Sequence, residues 1–389
     1  MAKKKIRMGM VGGGEGAFIG AIHRLAANLD GEIELVAGAF SSDPKRAKLS
    51  GENLGLAPER CYPNYIEMFA SEAKLPVHDR IDFVAIVTPN HLHFPVAKCA
   101  IEAGFHVFSD KPATLTLQEA EDLSALLEKH SCLYGLTHTY NGYPMIKEAR
   151  HRIANGELGA IRKVVVEYSQ GWLADAKDNS GKQAAWRLDA SQSGSSCCMG
   201  DIGVHAANLA EYVSGLSITA LCADLNSLVA GRTLDDDGTV LLRFNNGAKG
   251  VLLASQIAVG EENNLRLRIY GEHASLDWSQ MEPNSLWLRP HNAPALYLRA
   301  GVGSQSALTQ AAMRTPAGHP EGYIEAFANL YKNFAAQIRA FQAGLPADNL
   351  SFDVPGIREA VRGMAFIEHT VAASRQDSKW HPFQIGHSE

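Results

Sequence analysis

The sequence lacks several patterns that would assign it to other large classes of protein. Its six cysteines form no C-x-x-C pair, and two of them, Cys197 and Cys198, are adjacent. Neither a zinc site nor a disulfide framework is therefore expected, and a reducing cytoplasm is the simplest predicted location. No apolar run approaches the roughly 18 residues of a membrane span, so no membrane segment is expected.

Basic charge is also scarce. The chain has 36 Lys and Arg residues against 42 Asp and Glu, and its formal net charge is -6. A surface for nucleic acid or anionic membrane would need a basic excess, so neither is an expected partner. The lysines at positions 3 to 5 precede a short apolar run that breaks into glycines. This pattern predicts a first strand and not a signal peptide.

What the sequence does contain is the composition of an ordinary globular protein, with 46% hydrophobic and 20% charged residues. Its 389 residues exceed what one hydrophobic core usually supports, so two domains are expected, at 1–138 and 139–389. In the first, short apolar strands alternate with helical patterns, which predicts an α/β domain with a doubly wound parallel sheet. The expected strands are 6–11, 33–40, 83–87, 106–108 and 133–137.

A glycine cluster follows the first expected strand directly and precedes a helical pattern. In this context a G-x-G-x-x-G/A match is meaningful, because the backbone must approach a pyrophosphate at a helix N-terminus. Gly12 and Gly14 fit the first two positions, and either Ala17 or Gly20 fits the third. A plain tight turn is the alternative. The residues expected to bind the cofactor here are Gly12, Gly14, Ala17, Phe18 and Ile19.

The second expected strand ends where an NAD enzyme commonly presents an acid to the ribose hydroxyls. Here the strand runs into Ser41 and Ser42, which we expect to bind the cofactor. Asp43, followed by a proline, is instead typical of a helix N-cap. With Lys45 and Arg46 nearby, the segment would tolerate a 2'-phosphate, so both NAD and NADP stay open.

Two successive strand ends carry polar residues to one rim of the expected sheet. The segment Thr88-Pro89-Asn90-His91-Leu92-His93 follows one strand, and Asp110-Lys111-Pro112 follows the next. Ligands of open parallel sheets bind at the carboxyl ends of the strands. The cofactor-binding residues expected at this rim are Thr88, Pro89, Asn90, His93, Asp110 and Lys111. The alternative is a solvated Lys111 before a proline that only turns the chain.

His91 and His93 resemble a pair of metal ligands. Side chains two apart at a loop-to-helix junction diverge, however, and no carboxylate accompanies the pair. Hydrogen bonding to a cofactor, or a helix cap, is the favoured interpretation. No metal is therefore expected.

The periodicity changes from Tyr140 onward. After a helical pattern at 145–155, strands follow one another without intervening helices, at 163–168, 218–228, 240–244, 249–257, 265–270, 275–278 and 285–288. Leu265, Leu267 and Ile269 alternate with arginines, as in a strand with one buried face. Such runs predict a separate α+β domain with a large, mainly antiparallel sheet. Helical patterns at 323–343 and 354–373 are assigned a structural role only.

An acid and a histidine four residues apart, Asp201 and His205, open a helical pattern in this second domain. On an α-helix they would share one face, with β-carbons about 5 to 6 Å apart. Histidine titrates near neutral pH and a neighbouring carboxylate can orient it, so the pair suits proton transfer. The alternative is an Asp that favours the helix dipole, with an ordinary His behind it.

Aromatic, amide and arginine residues in loops suit a sugar site, where ring faces pack on C–H groups and polar groups bind hydroxyls. Each of them alone is more often a packing or surface residue. The expected substrate-binding residues are Tyr140, Gln170, Trp172, Trp186, Arg187 and His319.

Together these motifs resemble the Gfo/Idh/MocA oxidoreductase family, of glucose-fructose oxidoreductase, inositol dehydrogenase and relatives. The resemblance covers nearly the whole chain. It rests on the segment 88–93, on Asp110-Lys111-Pro112, where the family usually has Glu-Lys-Pro, and on the segment 201–205, which is similar to its D-x-G-x-H motif. It implies an N-terminal Rossmann domain, NAD or NADP, and an open C-terminal sheet that supports homodimers or homotetramers. The lengthened glycine loop departs from the family pattern.

The resemblance also implies a catalytic Lys, Asp and His, here Lys111, Asp201 and His205. We expect reversible oxidation of a secondary alcohol on a sugar, inositol or related polyol. His205 would take the hydroxyl proton, Lys111 would stabilise charge on the oxygen, and the hydride would pass to nicotinamide. Two alternatives stay open: a net glycoside hydrolysis with a retained, cycling cofactor, and a binding module that senses a dinucleotide.

Overall fold

The computed structural model describes residues 4–176 and 182–385, and at residues 182 and 183 it describes the backbone only. Residues 1–3, in the lysine-rich segment that begins the chain, lie outside the described residues. The chain forms two compact units. The first comprises the residues up to Thr139 together with Phe327–Val361, and the second comprises Tyr140–Ala326 and the residues from Arg362 onward. The first unit thus includes a C-terminal segment that lies beyond the expected boundary at residue 138.

The first unit is built on a five-stranded sheet in which every pair of neighbours is parallel. Its spatial order is β2-β1-β3-β4-β5, so the predicted doubly wound parallel sheet is confirmed. The strands are β1 (Ile6–Gly12), β2 (Ile33–Ala39), β3 (Phe83–Val87), β4 (His106–Ser109) and β5 (Tyr134–Leu136). The helices are α1 (Phe18–Asn28), α2 (Pro44–Asn53), α3 (Tyr65–Glu72), α4 (His93–Glu102) and α5 (Leu117–Lys129).

The register of this sheet brings three strand ends to one edge. Gly12 at the end of β1 pairs with Val87 at the end of β3, and Ile86 pairs with Ser109 at the end of β4. Every residue of β3 and β4 is buried, as expected for central strands covered on both faces. The glycine loop, the 88–93 segment and Asp110 therefore leave the sheet at the same carboxyl edge.

His106, the first residue of β4, gives the first unit a pH-dependent stability. Its ring is buried, accepts a hydrogen bond from the backbone N–H of Leu133 at 3.0 Å and contacts Phe341 edge-on at 4.8 Å. Burial, with a smaller effect of the Arg80 charge, lowers the pKa of His106 to about 4. Below the ordinary histidine pKa the unfolded chain binds a proton that the folded chain does not, so stability falls as pH falls from about 6.5 toward 4.

We therefore expect the free energy of unfolding to fall by about 2 kcal/mol through His106 when the pH is lowered from 7 to 5. His106→Asn should reduce the pH slope by about that amount, measured by urea titration at the two pH values. His78→Asn, at a side chain that is 74% exposed, is the control and should leave the slope unchanged. An unchanged slope in His106→Asn would contradict the assignment.

The second unit is built on a nine-stranded open sheet in the order β13-β12-β11-β10-β6-β9-β8-β7-β14. Only β6 and β9 run parallel among these pairs, so the predicted mainly antiparallel sheet is confirmed. The strands are β6 (Ile161–Ser169), β7 (Ile218–Asn226), β8 (Asp237–Phe244), β9 (Lys249–Ser255), β10 (Asn264–Gly271), β11 (Ala274–Ser279), β12 (Ser285–Pro290), β13 (Leu296–Arg299) and β14 (His381–Pro382). The shorter helices of this unit are α6 (Pro144–Ala154), α7 (Lys182–Arg187), α8 (Ala190–Ser193), α9 (Val204–Ser214) and α10 (Ala307–Ala311).

Two long helices, α11 (Tyr323–Gln342) and α12 (Ile357–Ser374), complete the chain. α11 has a fully buried apolar stripe that consists of Phe327, Leu330, Phe334 and Ile338. Within the first unit, the ring of Phe334 packs on those of Phe83 and Phe108, at 5.6 and 5.0 Å. In the part of the chain that the structure describes, no helix has the length and hydropathy needed to cross a membrane.

Candidate functional site

The glycine loop after β1 leaves no room for a side chain at Gly12 or Gly14. Gly12 has a φ of +81°, and a Cβ there would lie 2.4 Å from the carbonyl oxygen of Val87. At Gly14 a Cβ would lie 2.7 Å from the carbonyl oxygen of Phe40. The loop opens the 11-residue helix α1, whose N-cap Ala17 makes no side-chain capping bond. Bare backbone at an uncapped helix N-terminus fits the pyrophosphate of a dinucleotide.

Of the two candidates for the third position of the fingerprint, Gly20 has the close packing that this position requires. A Cβ on Gly20 would lie 2.3 Å from the carbonyl oxygen of Gly13, so the first turn of α1 packs directly on the loop. This close approach is what the third glycine provides in dinucleotide-binding folds. Ala17 instead precedes the helix, and its N–H donates to the carbonyl oxygen of Gly14 at 3.0 Å.

Gly20→Ala should therefore displace the loop. We expect a loss of about 1–3 kcal/mol of unfolding free energy from overpacking, together with weaker dinucleotide binding, measured by urea titration and by fluorescence titration. Gly322→Ala is the matched control, because a Cβ there has its nearest neighbour at an ordinary 3.6 Å. Equal behaviour of the two variants would show that Gly20 does not set the packing.

The segment after β2 confirms the predicted helix cap. The Asp43 carboxylate accepts the backbone N–H of Arg46 at 2.9 Å, and the next residue, Pro44, is the first of α2. The Ser41 hydroxyl accepts the N–H of Asp43 at 3.2 Å. Asp43 thus stabilises α2, and Ser42 is exposed beside it.

His93 joins the two loops that follow β3 and β4. Its ring is buried, with Nδ1 at 2.6 Å from the carbonyl oxygen of Pro112 and Nε2 at 2.8 Å from that of Thr88. Burial lowers the pKa of His93. Among the described residues no group of three or more His, Cys, Asp or Glu side chains is arranged to hold a metal. The two contacts hold this ring between the loops that follow β3 and β4.

Asp110 anchors Lys111, the residue that precedes Pro112. Its Oδ1 accepts the backbone N–H of Lys111 at 2.9 Å and the hydroxyl of Thr137 at 2.6 Å. Its Oδ2 lies 3.7 Å from Nε2 of His23, whose Nδ1 is 2.6 Å from the hydroxyl of Tyr331. Burial alone would raise the pKa of Asp110, but His23, the Lys111 charge and Thr137 together lower it well below its usual value.

The positive charge of Lys111 acts on both Asp110 and His138. Burial, reinforced by the positive charge of Lys111 and only partly offset by Asp110, lowers the pKa of His138 to about 3. His138 is therefore neutral at working pH. Sequence reasoning missed His23, Thr137 and His138. His23 lies far from Asp110 in the sequence, and Thr137 and His138 follow a third strand, β5.

In the second unit, the expected α-helix begins as a π turn. Met199–Gly203 is π-helical, and the N–H of Val204 reaches back five residues to the carbonyl oxygen of Met199. The buried carboxylate of Asp235 accepts the Ser196 hydroxyl at 2.9 Å and the N–H groups of Cys197 and Met199 at 3.0 and 2.9 Å. Asp201 and His205 are thus four apart on a widened turn, so the expected α-helical spacing does not apply.

Asp201 binds one of the predicted substrate-site residues directly, Arg187. Its Oδ2 accepts Nε–H of Arg187 at 3.1 Å and the amide of Gln256 at 2.9 Å. The Arg187 guanidinium lies 4.3 Å from the ring centroid of Trp186 and 5.8 Å from that of Trp172. Gln256 was not among the expected site residues.

His205 is buried against an aromatic wall. The Tyr140 ring meets it edge-on at 4.9 Å, and the Tyr168 ring lies 6.5 Å from it. The Tyr140 hydroxyl is hydrogen-bonded to that of Tyr168 and accepts the Asn263 amide at 3.3 Å. Burial raises the pKa of Tyr140, so its hydroxyl stays protonated.

The same network continues to Gln170, whose amide donates to Asn263 at 2.7 Å and whose Oε1 accepts the Trp172 indole N–H at 2.8 Å. One connected cluster therefore contains five of the six expected substrate-binding residues, with Asp201 and His205. The sixth, His319, is exposed in a loop where its Nδ1 lies 3.2 Å from the carbonyl oxygen of Pro316.

Two family models match the chain. Residues 6–138 match the model described as an oxidoreductase family with an NAD-binding Rossmann fold. Residues 146–277 match the model described as the GFO/IDH/MocA C-terminal domain. The first unit therefore contains an NAD-binding Rossmann fold.

Several known proteins are similar over most of their length. The uncharacterized oxidoreductase YfiI of Bacillus subtilis is 36% identical over 385 residues, which cover 98% of each chain. Levoglucosan dehydrogenase of Pseudarthrobacter phenanthrenivorans is 28% identical over 297 residues, 70% of this chain and 73% of that protein. An inositol dehydrogenase homologue of Azotobacter vinelandii, crystallised with NAD+, aligns with a TM-score of 0.93 at 36% identity over 98% of each chain. A structure of this homologue with NADH and myo-inositol aligns with a TM-score of 0.91 at 35% identity, again over 98% of each.

Proposed function

The chain belongs to the Gfo/Idh/MocA family of oxidoreductases, and we propose that it transfers a hydride between nicotinamide and a secondary alcohol of a sugar, inositol or related polyol. The observation that carries the proposal is the cluster of Asp201, His205, Arg187 and two tryptophans in one unit. The names of the relatives agree with it, since they include a levoglucosan dehydrogenase and a homologue crystallised with NADH and myo-inositol.

The cofactor, when bound, supplies the hydride acceptor. The glycine loop and the residues after β2 and β3 are the groups that would hold it, by the bare backbone at Gly12 and Gly14 and by Ser41, Ser42 and 88–90. NAD is the first cofactor to test, and NADP stays open.

We assign to His205 the removal of the proton from the substrate hydroxyl, and to Asp201 the orientation of His205. Imidazole is the side chain that best accepts a proton near neutral pH. Lys111 is assigned to stabilise the charge that develops on the substrate oxygen. The faces of Trp172 and Trp186 suit packing on the C–H groups of a sugar ring.

The test is a panel of inositols, hexoses, pentoses and anhydrosugars with NAD+ and NADP+ separately, followed by the absorbance of reduced nicotinamide. We expect sustained, stoichiometric release of reduced cofactor with at least one polyol. Product formation without net reduced cofactor would favour the retained, cycling cofactor. Tight dinucleotide binding without turnover on any compound would favour the sensing module and overturn the proposal.

We also propose that the chain forms homodimers or homotetramers through the exposed face of the nine-stranded sheet. One row of paired residues crosses this face from Leu241 through Val251, Val165, Arg268, Asp277 and Trp287 to Tyr297. Leu241, Trp287 and Tyr297 are exposed large apolar side chains, which is typical of an interface. Light scattering should give a mass of two or four chains, and a monomer would contradict the assignment.

The six free thiols suit the cytoplasm, where we propose that the protein works.

A further inference from the structure

The carboxylate of Asp201 is held by two donors from distant parts of the chain. Arg187, the last residue of α7, donates Nε–H at 3.1 Å, and Gln256, just after β9, donates its amide at 2.9 Å. Both bonds converge on the same oxygen, Oδ2. The side chains of Arg187 and Asp201 are only 21% and 16% exposed, so solvent competes weakly for this pair.

The orientation of Gln256 is set from its other side. Its side chain is buried, and its Oε1 accepts the Cys197 thiol at 3.4 Å. Burial raises the pKa of Cys197, so the thiol stays protonated and acts as a donor. A thiol donor on Oε1 turns the amide nitrogen toward Asp201, which is the geometry that the carboxylate needs.

Arg187 is restrained in a similar way. Its guanidinium lies 4.3 Å from the Trp186 ring and 5.8 Å from the Trp172 ring, within the range of cation–π contacts. A planar cation held against a ring loses less freedom when it pairs with a carboxylate. The sequence predicted that Arg187 binds substrate, yet its Nε–H is directed to Asp201.

We propose that Arg187 and Gln256 are positioning residues that hold Asp201, the Asp201 clamp, and that they act on turnover through Asp201 and not by binding substrate. The proposal rests on the proposed function for its kinetic readout only. The two bonds of the clamp fix the direction of the carboxylate of Asp201, which lies on the π turn. Loss of either donor lets the carboxylate rotate, so the proton acceptor His205 is less well oriented.

A double-mutant cycle tests the clamp, with wild type, Arg187→Met, Asp201→Ala and the double variant. We expect Arg187→Met to lower kcat about 10- to 100-fold with KM within about threefold, by analogy with the loss of other groups that orient a catalytic residue. In the Asp201→Ala background the same change should alter kcat less than about twofold. Arg187→Lys should recover part of the loss, and Gln256→Leu should give a smaller loss of the same kind.

Arg162→Met is the matched control, because Arg162 pairs with Glu272 at a site where the side chains are 66% and 39% exposed. It should leave kcat and KM unchanged. The same four proteins are also unfolded without cofactor, and their unfolding equilibrium constants give a second double-mutant cycle. In this cycle we expect a coupling of about fivefold between Arg187 and Asp201.

The two readouts separate the clamp from the proposed function. If wild type turns over no polyol while the unfolding cycle shows the coupling, the proposed function fails and the clamp stands. A rise in KM with unchanged kcat in Arg187→Met, or an equal loss in the Asp201→Ala background, would show direct substrate binding. Additive unfolding effects of Arg187→Met and Asp201→Ala would also overturn the clamp.

Discussion

We expect Lys111→Met to lower kcat about 100- to 1,000-fold, while the dissociation constant of the dinucleotide stays within about threefold of wild type. Methionine has nearly the length of lysine but no charge, so the substrate oxygen loses its stabilising cation and the loop keeps its packing. The backbone N–H of Lys111, which donates to Asp110 at 2.9 Å, is retained in the variant. Steady-state kinetics and fluorescence titration check the two halves of this expectation.

Lys98→Met is the matched control for this change. Lys98 lies on α4 with its side chain 51% exposed, 4.0 Å from Glu102. We expect wild-type kcat and dinucleotide binding for Lys98→Met. Near-normal turnover by Lys111→Met on a confirmed substrate would remove Lys111 from the reaction, and a loss confined to dinucleotide binding would make it a cofactor residue only.

His205→Asn should be the other large effect, a fall in kcat of about 100- to 10,000-fold. Asparagine fills much of the same space beside Tyr140 but accepts no proton at working pH. The acidic limb of the kcat/KM profile that reports the wild-type base should disappear with it. Rates across a pH series, for wild type and variant, give both results.

His291→Asn serves as the control here, since His291 is exposed in the second unit. It should keep both the rate and the pH profile of the wild type. A His205→Asn variant that retains the acidic limb would assign the proton transfer to another group. A loss of folding is recognised by the far-UV spectrum and by the urea midpoint.

The parallel sheet was predictable because its strands are short apolar runs that alternate with helical patterns, and some of those helices begin with a local start signal. Asp43 and Pro44 are an example, since the cap and the first helical residue are adjacent in sequence. The edge strand Leu296–Arg299 was not predicted, because three of its four residues are exposed and it has no buried alternate face. A two-residue strand such as His381–Pro382 has no periodicity at all.

The site was predictable in its residue types and less so in its contacts. Asp201 and His205 stand out by spacing, but the π turn depends on Asp235, 34 residues beyond Asp201 in a run of three aspartates. Arg187 stands out as a polar residue beside a tryptophan, but its pairing with Asp201 is a tertiary contact. Likewise, only the close packing of Gly20 on Gly13 distinguishes Gly20 from Ala17 as the third glycine.

The proposed function requires that this chain transfers a carbinol hydrogen of a polyol to nicotinamide. It is tested most directly with the fastest substrate of the panel, deuterated at the carbon that is oxidised, and with mass analysis of the reduced cofactor. We expect one deuterium on the nicotinamide ring for each ketone formed. Reduced nicotinamide without deuterium, or no reduced nicotinamide from any deuterated polyol, would contradict it.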